Sequence, residues 1–504
     1  MGLYHAMQRR WADPEALRAP HGVRRRIALG GQGDLGDLPR GGLSYADLEL
    51  RVRGAAGLLR GLGLRPGDVV ALQIPRSLAW LELHLGALAI GAVSLLVNDR
   101  AAVPELRYLV EDSGARLAVV LDPAAVSGLP CRVLPVGEVR ERLDQATVVD
   151  AMPEPDDDAL AALMYTSGTT GRPKGAMLSH KNLLATVQAL HQAWGWSVHD
   201  HLLHALPLHH IHGLVVAQLG ALWAGARTTW MPRFEAEQAL TLLERERCTV
   251  FMGVPTFYHR FLSLPPQAAF DLSGMRLFTC GSAPLPAGDL LAFQERFGHT
   301  ILERYGMTEC GIVLSNPLEG ERRPGSVGFP LSGVTLRIVD PVSERRCEVD
   351  EIGEIRLKGP SVTRGYLGRP EQTAQALVGG WLHTGDLART DADGYVHIVG
   401  RSKELVISGG FNVYPGEVEA VLRQAPGVAE AAILGLPDAD LGERVVAALV
   451  ARPGHLLEPA VVMDFVREHL AAYKCPRELV VLDALPRNDM GKVQKQVLAR
   501  DWPG

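Results

Sequence analysis

Lysine is scarce in this chain. Of its 51 basic residues only seven are lysine, at 174, 181, 358, 403, 474, 492 and 495, and the other 44 are arginine. Some of those few lysines are expected where a planar guanidinium cannot replace a compact ammonium. Paired cysteines are missing too. The six cysteines (131, 248, 280, 310, 347 and 475) are scattered with no C-x-x-C among them. That argues against a disulfide framework or a zinc site and fits a reducing cytoplasm. Charge bias is weak: the formal net charge is −6, so no global basic field invites nucleic acid. A targeting or membrane segment is not evident. "MGLYHAMQRRWADPEALRAP" at the start has no apolar h-region. The strongest membrane candidate, "LAWLELHLGALAIGAVSLLV" (78–97), carries Glu82 and His84 and reads as a buried helix running into a strand.

What is present is an ordinary globular composition, 47% apolar and 21% charged, over 504 residues. That length exceeds one core, so two or more domains are expected. Ser44 opens a helical pattern, and "VVALQIP" (69–75), "LAVVL" (117–121), "TVFMGVP" (249–255) and "LFTCG" (277–281) are short apolar runs ending in turn residues. Helical patterns lie between them, which predicts an α/β fold with mostly parallel sheets. From about residue 333 the runs "VTLRIVD", "GEIRLKG" and "GYVHIVG" follow one another across turns, a more β-rich section. After Gly400 a last block of about a hundred residues mixes strands and helices and is large enough for a small α+β domain. The division expected is a large domain over 1–400 and a small one over 401–504.

One stretch stands out chemically. "YTSGTTGRPKG" (165–175) follows an apolar strand pattern, and helix-like spacing resumes only after Ser179. Glycines 168, 171 and 175 let backbone N–H groups approach a polyanion, hydroxyls at 166, 167, 169 and 170 add donors, and Lys174 adds a point charge. The order of residues suits phosphate. It is not a Walker A loop, because Gly175 rather than Ser or Thr follows the lysine.

"YTSGTTGRPKGAMLSH" resembles the phosphate loop of the adenylate-forming enzymes: acyl-CoA synthetases, peptide-synthetase adenylation domains and luciferases. "ERYGMTE" (303–309), "TGD" (384–386), "GRSKELVISGGFNVYPGEVE" (400–419) and "RNDMGKVQK" (487–495) resemble further motifs of that family, in the same order. The resemblance spans nearly the whole chain. It implies a large N-terminal domain, a small mobile C-terminal lid, and activation of a carboxylate by ATP followed by transfer to a thiol. It also implies roles for residues. Thr166, Ser167, Gly168, Thr169, Thr170, Gly171 and Lys174 hold the outer phosphates. Gly281, Ser282, Ala283, Glu303, Arg304, Tyr305, Gly306, Met307 and Ile398 line the nucleotide. Asp386 and Arg401 meet the ribose, Thr308 the α-phosphate, and Glu309 binds magnesium. Lys492 is the catalytic lysine, Lys403 the hinge, and Ser408, Gly409 and Gly410 meet the coenzyme A arm. Lys495 is left as surface. Arg233 has two readings of equal weight, a coenzyme A phosphate contact or a surface residue.

For the acid, "ALPLHHIHGLVV" (205–216) resembles the segment lining the family's acyl pocket, with His210 at a common position and His212 where many aryl and fatty acid ligases carry an aromatic or apolar residue. "MRLFTCG" puts Arg276 on the strand feeding that pocket, the other reading being the first exposed residue of its strand. A basic group there is costly unless it meets an anion. The expectation is that His212 and Arg276 clamp the second carboxylate of a short dicarboxylate, in a pocket with Ser282 and Met307. "HHxHG", "RLFTCGSAPLP" and "ERYGMTECGIVLSNP" together resemble malonyl-CoA synthetases, with methylmalonate as a co-substrate. The other reading of the three histidines is a hydrogen-bonded core cluster. Alternative functions are ligation of another short or medium acid, loading of a carrier-protein thiol, or a non-catalytic nucleotide sensor.

Overall fold

The computed structural model describes residues 1–13, 27–31, 42–149, 152–166, 172–488 and 491–503. Among these, strands gather into four sheets. The six-stranded one runs Arg132–Pro135, Leu117–Val120, Val69–Gln73, Val93–Leu96, Leu160–Thr166, Lys174–Ser179. All its pairings are parallel except the last, where Leu160–Thr166 and Lys174–Ser179 are antiparallel. The phosphate-suited stretch therefore joins two strands of a hairpin at a sheet edge. Sequence spacing had suggested a turn from strand into helix. The helix comes one strand later, at His180–Ala193, where Ser179 and Asn182 form a capping box.

The run 78–97 behaves as expected. Leu78–Ile90 is a helix with every residue buried, and it ends at Gly91 with φ +73° before the strand Val93–Leu96. Its two polar residues have partners: Glu82 pairs with Arg51 at 3.0 Å, and the His84 Nδ1 lies 3.0 Å from Ser94 Oγ. Among the described residues no helix is long and apolar enough to cross a membrane.

The larger sheet, of nine strands, is built around parallel neighbours His201–His204, Val250–Gly253, Leu277–Cys280 and Leu302–Met307. Gly311–Ser315 then turns back antiparallel to Leu302–Met307. The β-rich section forms a third sheet of five strands (335–401) over a core that includes Ile338, Ile355, Leu357 and Val396. A fourth sheet, centred on Gly442–Ala451, carries one core with the helices Pro415–Leu422 and Pro459–His469 and another with Leu498. This is the mixed α/β architecture of a large N-terminal part and a small C-terminal part.

Candidate active site

Residues from several of these elements come together around Glu309 and Asp386. Of the phosphate-suited loop, Thr166 and Lys174 are its two feet, while Ser167, Gly168, Thr169, Thr170 and Gly171 lie outside the described residues. Glu309 is buried between the feet and the third sheet. Its Oε1 accepts a hydrogen bond from the Tyr366 hydroxyl at 2.9 Å and one from Thr166 Oγ1 at 3.5 Å. The Lys174 ammonium sits over the Tyr366 ring, 3.9 Å from its centroid. Burial lowers the lysine's pKa, against the opposing pull of Glu309. Thr308 and Glu309 occupy the turn between Leu302–Met307 and Gly311–Ser315. That turn needs Gly306, because a Cβ there would lie 2.0 Å from the Gly311 carbonyl oxygen.

Asp386 is 4% exposed. Tyr305 donates its hydroxyl to Asp386 Oδ2 at 2.5 Å, and Arg401 Nε pairs with Oδ1 at 2.8 Å. A buried carboxylate held at a fixed angle is suited to a ribose diol. Ile398 stands half-buried on the adjoining strand. Lys492 comes to the same place from the C-terminal sheet. Its turn touches the large domain, since a Cβ on Gly491 would lie 3.0 Å from Thr256 Cγ2. Surrounding protein depresses the lysine's pKa, Arg401 adds to this, and Glu404 and Asp386 oppose it. Lys495, read as surface, is instead half-buried in ion pairs with Glu419 at 2.8 Å and Glu404 at 3.4 Å. It ties the last helix to the Ser402–Glu404 turn that carries Lys403.

The acyl side corrects two expectations. Arg276 does not lie beside Ser282. Its Nε and Nη2 grip Asp200 at 2.6 and 2.8 Å, and Nη1 donates to the Trp194 carbonyl at 2.8 Å. It stands before the first residue of Leu277–Cys280, whereas Ser282 follows the last, a separation of about 20 Å at strand rise. His212 does lie beside Ser282 but not as a cation. It is 1% exposed, its Nδ1 is 3.2 Å from Ser282 Oγ, and burial holds its pKa well below 6.5. The ring is a neutral hydrogen-bonding group at the start of a π-helix, His212–Leu219, a local irregularity that re-aims side chains. Gly213 permits it, because a Cβ there would strike the Pro207 carbonyl oxygen at 1.9 Å. Ser282 holds φ +73°, a strained backbone for serine that turns the chain beside Gly281 and Ala283.

Arg304, expected on the nucleotide, is the buried cation beside Gly281 and His212. Side chains alternate along Leu302–Met307. Glu303 and Tyr305 face the Gly325 and Asp386 side. Arg304 projects the other way, against Gly281, where a Cβ would lie 2.4 Å from its Cζ. His212 and Tyr258 are electrostatic neighbours. The guanidinium is 4% exposed and its Nε and Nη2 have no hydrogen-bond partner. Burial lowers its pKa to about 10. Among the described residues no carboxylate forms an ion pair with it. Met307 lies half-buried at the end of the same strand, and His210 packs its ring 4.3 Å from that of His209.

Farther out, Ser408, Gly409 and Gly410 form the tip of the hairpin Val406–Ser408/Phe411–Val413, both glycines at positive φ. Arg233 is exposed on the connection after Arg227–Trp230. Sequence reasoning missed Tyr366, for which no spacing gave a signal.

Comparison with known proteins accords with this geometry. Residues 25–367 match the family model for AMP-binding enzymes, and 417–492 match that for the AMP-binding enzyme C-terminal domain. A feruloyl-CoA synthase of an Amycolatopsis species is 38% identical over 471 residues, covering 91% of this chain and 94% of the relative. A mitochondrial malonate–CoA ligase of Mus musculus is 35% identical over 484 residues, covering 87% and 83%. The ATP-bound crystal structure of MatB from Rhodopseudomonas palustris is 39% identical, with a TM-score of 0.92 over 100% of this chain and 99% of that one. By these matches the chain belongs to the AMP-binding, adenylate-forming enzymes as an AMP-forming acyl-CoA synthetase.

Proposed function

We propose that the enzyme ligates malonate, and also methylmalonate, to coenzyme A in the cytoplasm. The carrying observation is Arg304: a buried guanidinium beside Gly281 and neutral His212, with no carboxylate among the described residues to neutralise it. Leaving a charge buried and unpaired is expensive. A second substrate carboxylate is the group that would relieve that cost, and a planar fork suits it. The malonate–CoA ligase relative supports the reading. Met307 would stand beside the α-carbon and admit a methyl but little more.

In the first step a carboxylate oxygen bonds to the α-phosphorus and the bond to the bridging oxygen breaks, releasing pyrophosphate. Two anions must meet, so the site's task is electrostatic. Lys492 supplies an ammonium between them, Thr308 a hydroxyl at the α-phosphate, and Lys174 a cation for the leaving pyrophosphate. Asp386 orients the ribose. Magnesium fits Glu309: a buried carboxylate offers hard oxygen, and no cluster of three metal-binding side chains occurs among the described residues. That matches an ion bound through one carboxylate plus substrate phosphates. When bound, it would neutralise phosphate charge. In the second step the thiolate attacks the acyl carbon and AMP leaves. Rotation of the 401–504 domain about Lys403 would withdraw Lys492 and bring Gly409 and Gly410 against the pantetheine arm.

Acid-dependent pyrophosphate release, followed with malonate, methylmalonate, acetate, octanoate, benzoate and ferulate, tests the assignment. The expected order puts malonate first. Turnover of octanoate or ferulate above malonate removes the dicarboxylate reading and leaves the acyl-CoA synthetase intact.

A further inference from the structure

Tyr366 belongs to no group that the motifs supply, yet it touches two residues that the phosphate chemistry needs. Its segment is laid across the hairpin edge. Met177 N–H donates to the Gly365 carbonyl at 3.0 Å, Leu367 N–H to the Gly175 carbonyl at 2.9 Å, and Thr363 Oγ1 to the Met177 carbonyl at 2.6 Å. Gly365 takes φ +130°, and the Tyr366 N–H is caught by Thr373 Oγ1 at 3.0 Å. The far end is anchored by an ion pair from Arg369 to Asp112. The same carboxylate accepts the Tyr165 hydroxyl at 2.7 Å, and nearby Tyr108 donates to the Pro173 carbonyl at 2.7 Å. Both feet of the phosphate loop and the Tyr366 segment are thus pinned to one helix, Val103–Ser113.

The result is a phenol, 6% exposed, held in one orientation. Its hydroxyl donates to Glu309 Oε1 and its ring face seats the Lys174 ammonium. Lys174 and Glu309 attract one another, but among the described residues neither takes the other as an ion-pair partner. Collapse of that pair would silence both, one as a phosphate cation and the other as an oxygen donor. A phenol keeps its proton at neutral pH and so serves here as the donor.

We propose that Tyr366 is a positioning residue that holds Lys174 and Glu309 apart and aims them separately, the lysine at the nucleotide's outer phosphates and the carboxylate at the divalent cation. The inference rests on the assignment of those two residues to phosphate and metal.

The test uses the full chain as wild type, Tyr366→Phe and Tyr366→Leu, with Glu309→Gln and Lys174→Ala as benchmarks. Three quantities are read: Mn²⁺ affinity of the ATP complex by paramagnetic resonance, metal-free ATP binding by calorimetry, and KM for the acid. Tyr366→Phe keeps the ring and loses the hydroxyl. It should weaken Mn²⁺ binding about tenfold, as expected for a lost hydrogen bond to a charged group, and leave metal-free ATP binding within about twofold. Tyr366→Leu also loses the seat for Lys174 and should weaken metal-free ATP binding about threefold to tenfold. KM for the acid should stay put in both. A Phe variant with wild-type Mn²⁺ affinity, where Glu309→Gln loses it, overturns the proposal. So does equal weakening of metal, nucleotide and acid binding, the mark of a merely structural tyrosine. If Glu309→Gln and Lys174→Ala themselves change neither metal nor ATP binding, the underlying assignment falls instead.

Discussion

Arg276 and Arg304 approach neighbouring strands of one sheet, and their surroundings treat them in opposite ways. Arg276 precedes Leu277–Cys280 and is satisfied within the protein: Asp200 takes two of its nitrogens and a carbonyl takes the third. Arg304, on the adjacent strand, sees less solvent but has no acidic partner among the described residues. A chain neutralises its charges where they serve the fold and leaves one unneutralised where a ligand is to do so. The surroundings of Asp386, proposed to meet the nucleotide, contrast again. There Asp386 is pre-paired with Tyr305 and Arg401. The affinity for ATP is therefore expected to depend on many shared contacts and the choice of acid on few.

Replacing the unpaired cation gives the largest effect expected. Arg304→Ala should lower kcat/KM for malonate by about 10² to 10³-fold, the range for removing one partner of a buried charge pair, while KM for ATP changes little. Arg304→Lys keeps charge but not the fork and should fall between. If Arg304→Ala leaves malonate turnover intact, the contrast between the two arginines has no functional content.

Glu303 explains why the neighbouring acid does not quench Arg304. It lies on the opposite face, buried, with Oε1 accepting from the Gly325 N–H at 3.0 Å. Burial pushes its pKa up from 4.5 to about 7, against the Gly325 and Leu285 N–H bonds. Both states hold the proton below about 4.5; between 4.5 and 7 only the folded state keeps it. Stability contributed by this group is thus full at low pH and is lost as pH rises towards 7. Glu303→Gln should gain on wild type in thermal stability from pH 5 to 7 and level off above, by about 3 kcal/mol at most. A difference that does not change with pH would place the group outside the folded-state titration.

Arg276→Ala should act on the fold alone. It strands Asp200, although Thr249 and Ser197 still donate to that carboxylate. Because the guanidinium is about a third exposed, a loss of about 1–3 kcal/mol is expected, below the full penalty for a buried pair. Denaturant midpoints report it, and malonate KM should not move.

How much of this was legible in the sequence follows the range of the interactions. The helix at Tyr45–Gly61 with its Ser44 capping box, the buried run from 78, and the parallel strands were readable because capping and periodicity are local. The second strand of the phosphate hairpin was not, since Lys174–Ser179 pairs with residues on the far side of a glycine loop. Nor was the fate of Arg276, because Asp200 lies 76 residues away. Tyr366 acquires its place only when chain segments 57 residues apart meet at Glu309.

The smallest expected effect concerns His212, the residue joining the two stories. Had it been a cation it would share the acid's charge with Arg304, and malonate turnover would fall as pH rose through its pKa. Burial, with Arg304, His204 and His210 close by, instead keeps the ring neutral down to well below pH 6.5. Between pH 6 and 8 the kcat/KM for malonate should carry no limb that disappears in His212→Asn. That variant retains a polar group facing Ser282 Oγ and should lose only about threefold to tenfold, the value of one neutral hydrogen bond. A wild-type limb near pH 6.5 that vanishes in the Asn variant would make His212 a charged partner and return to it half of the role assigned to Arg304.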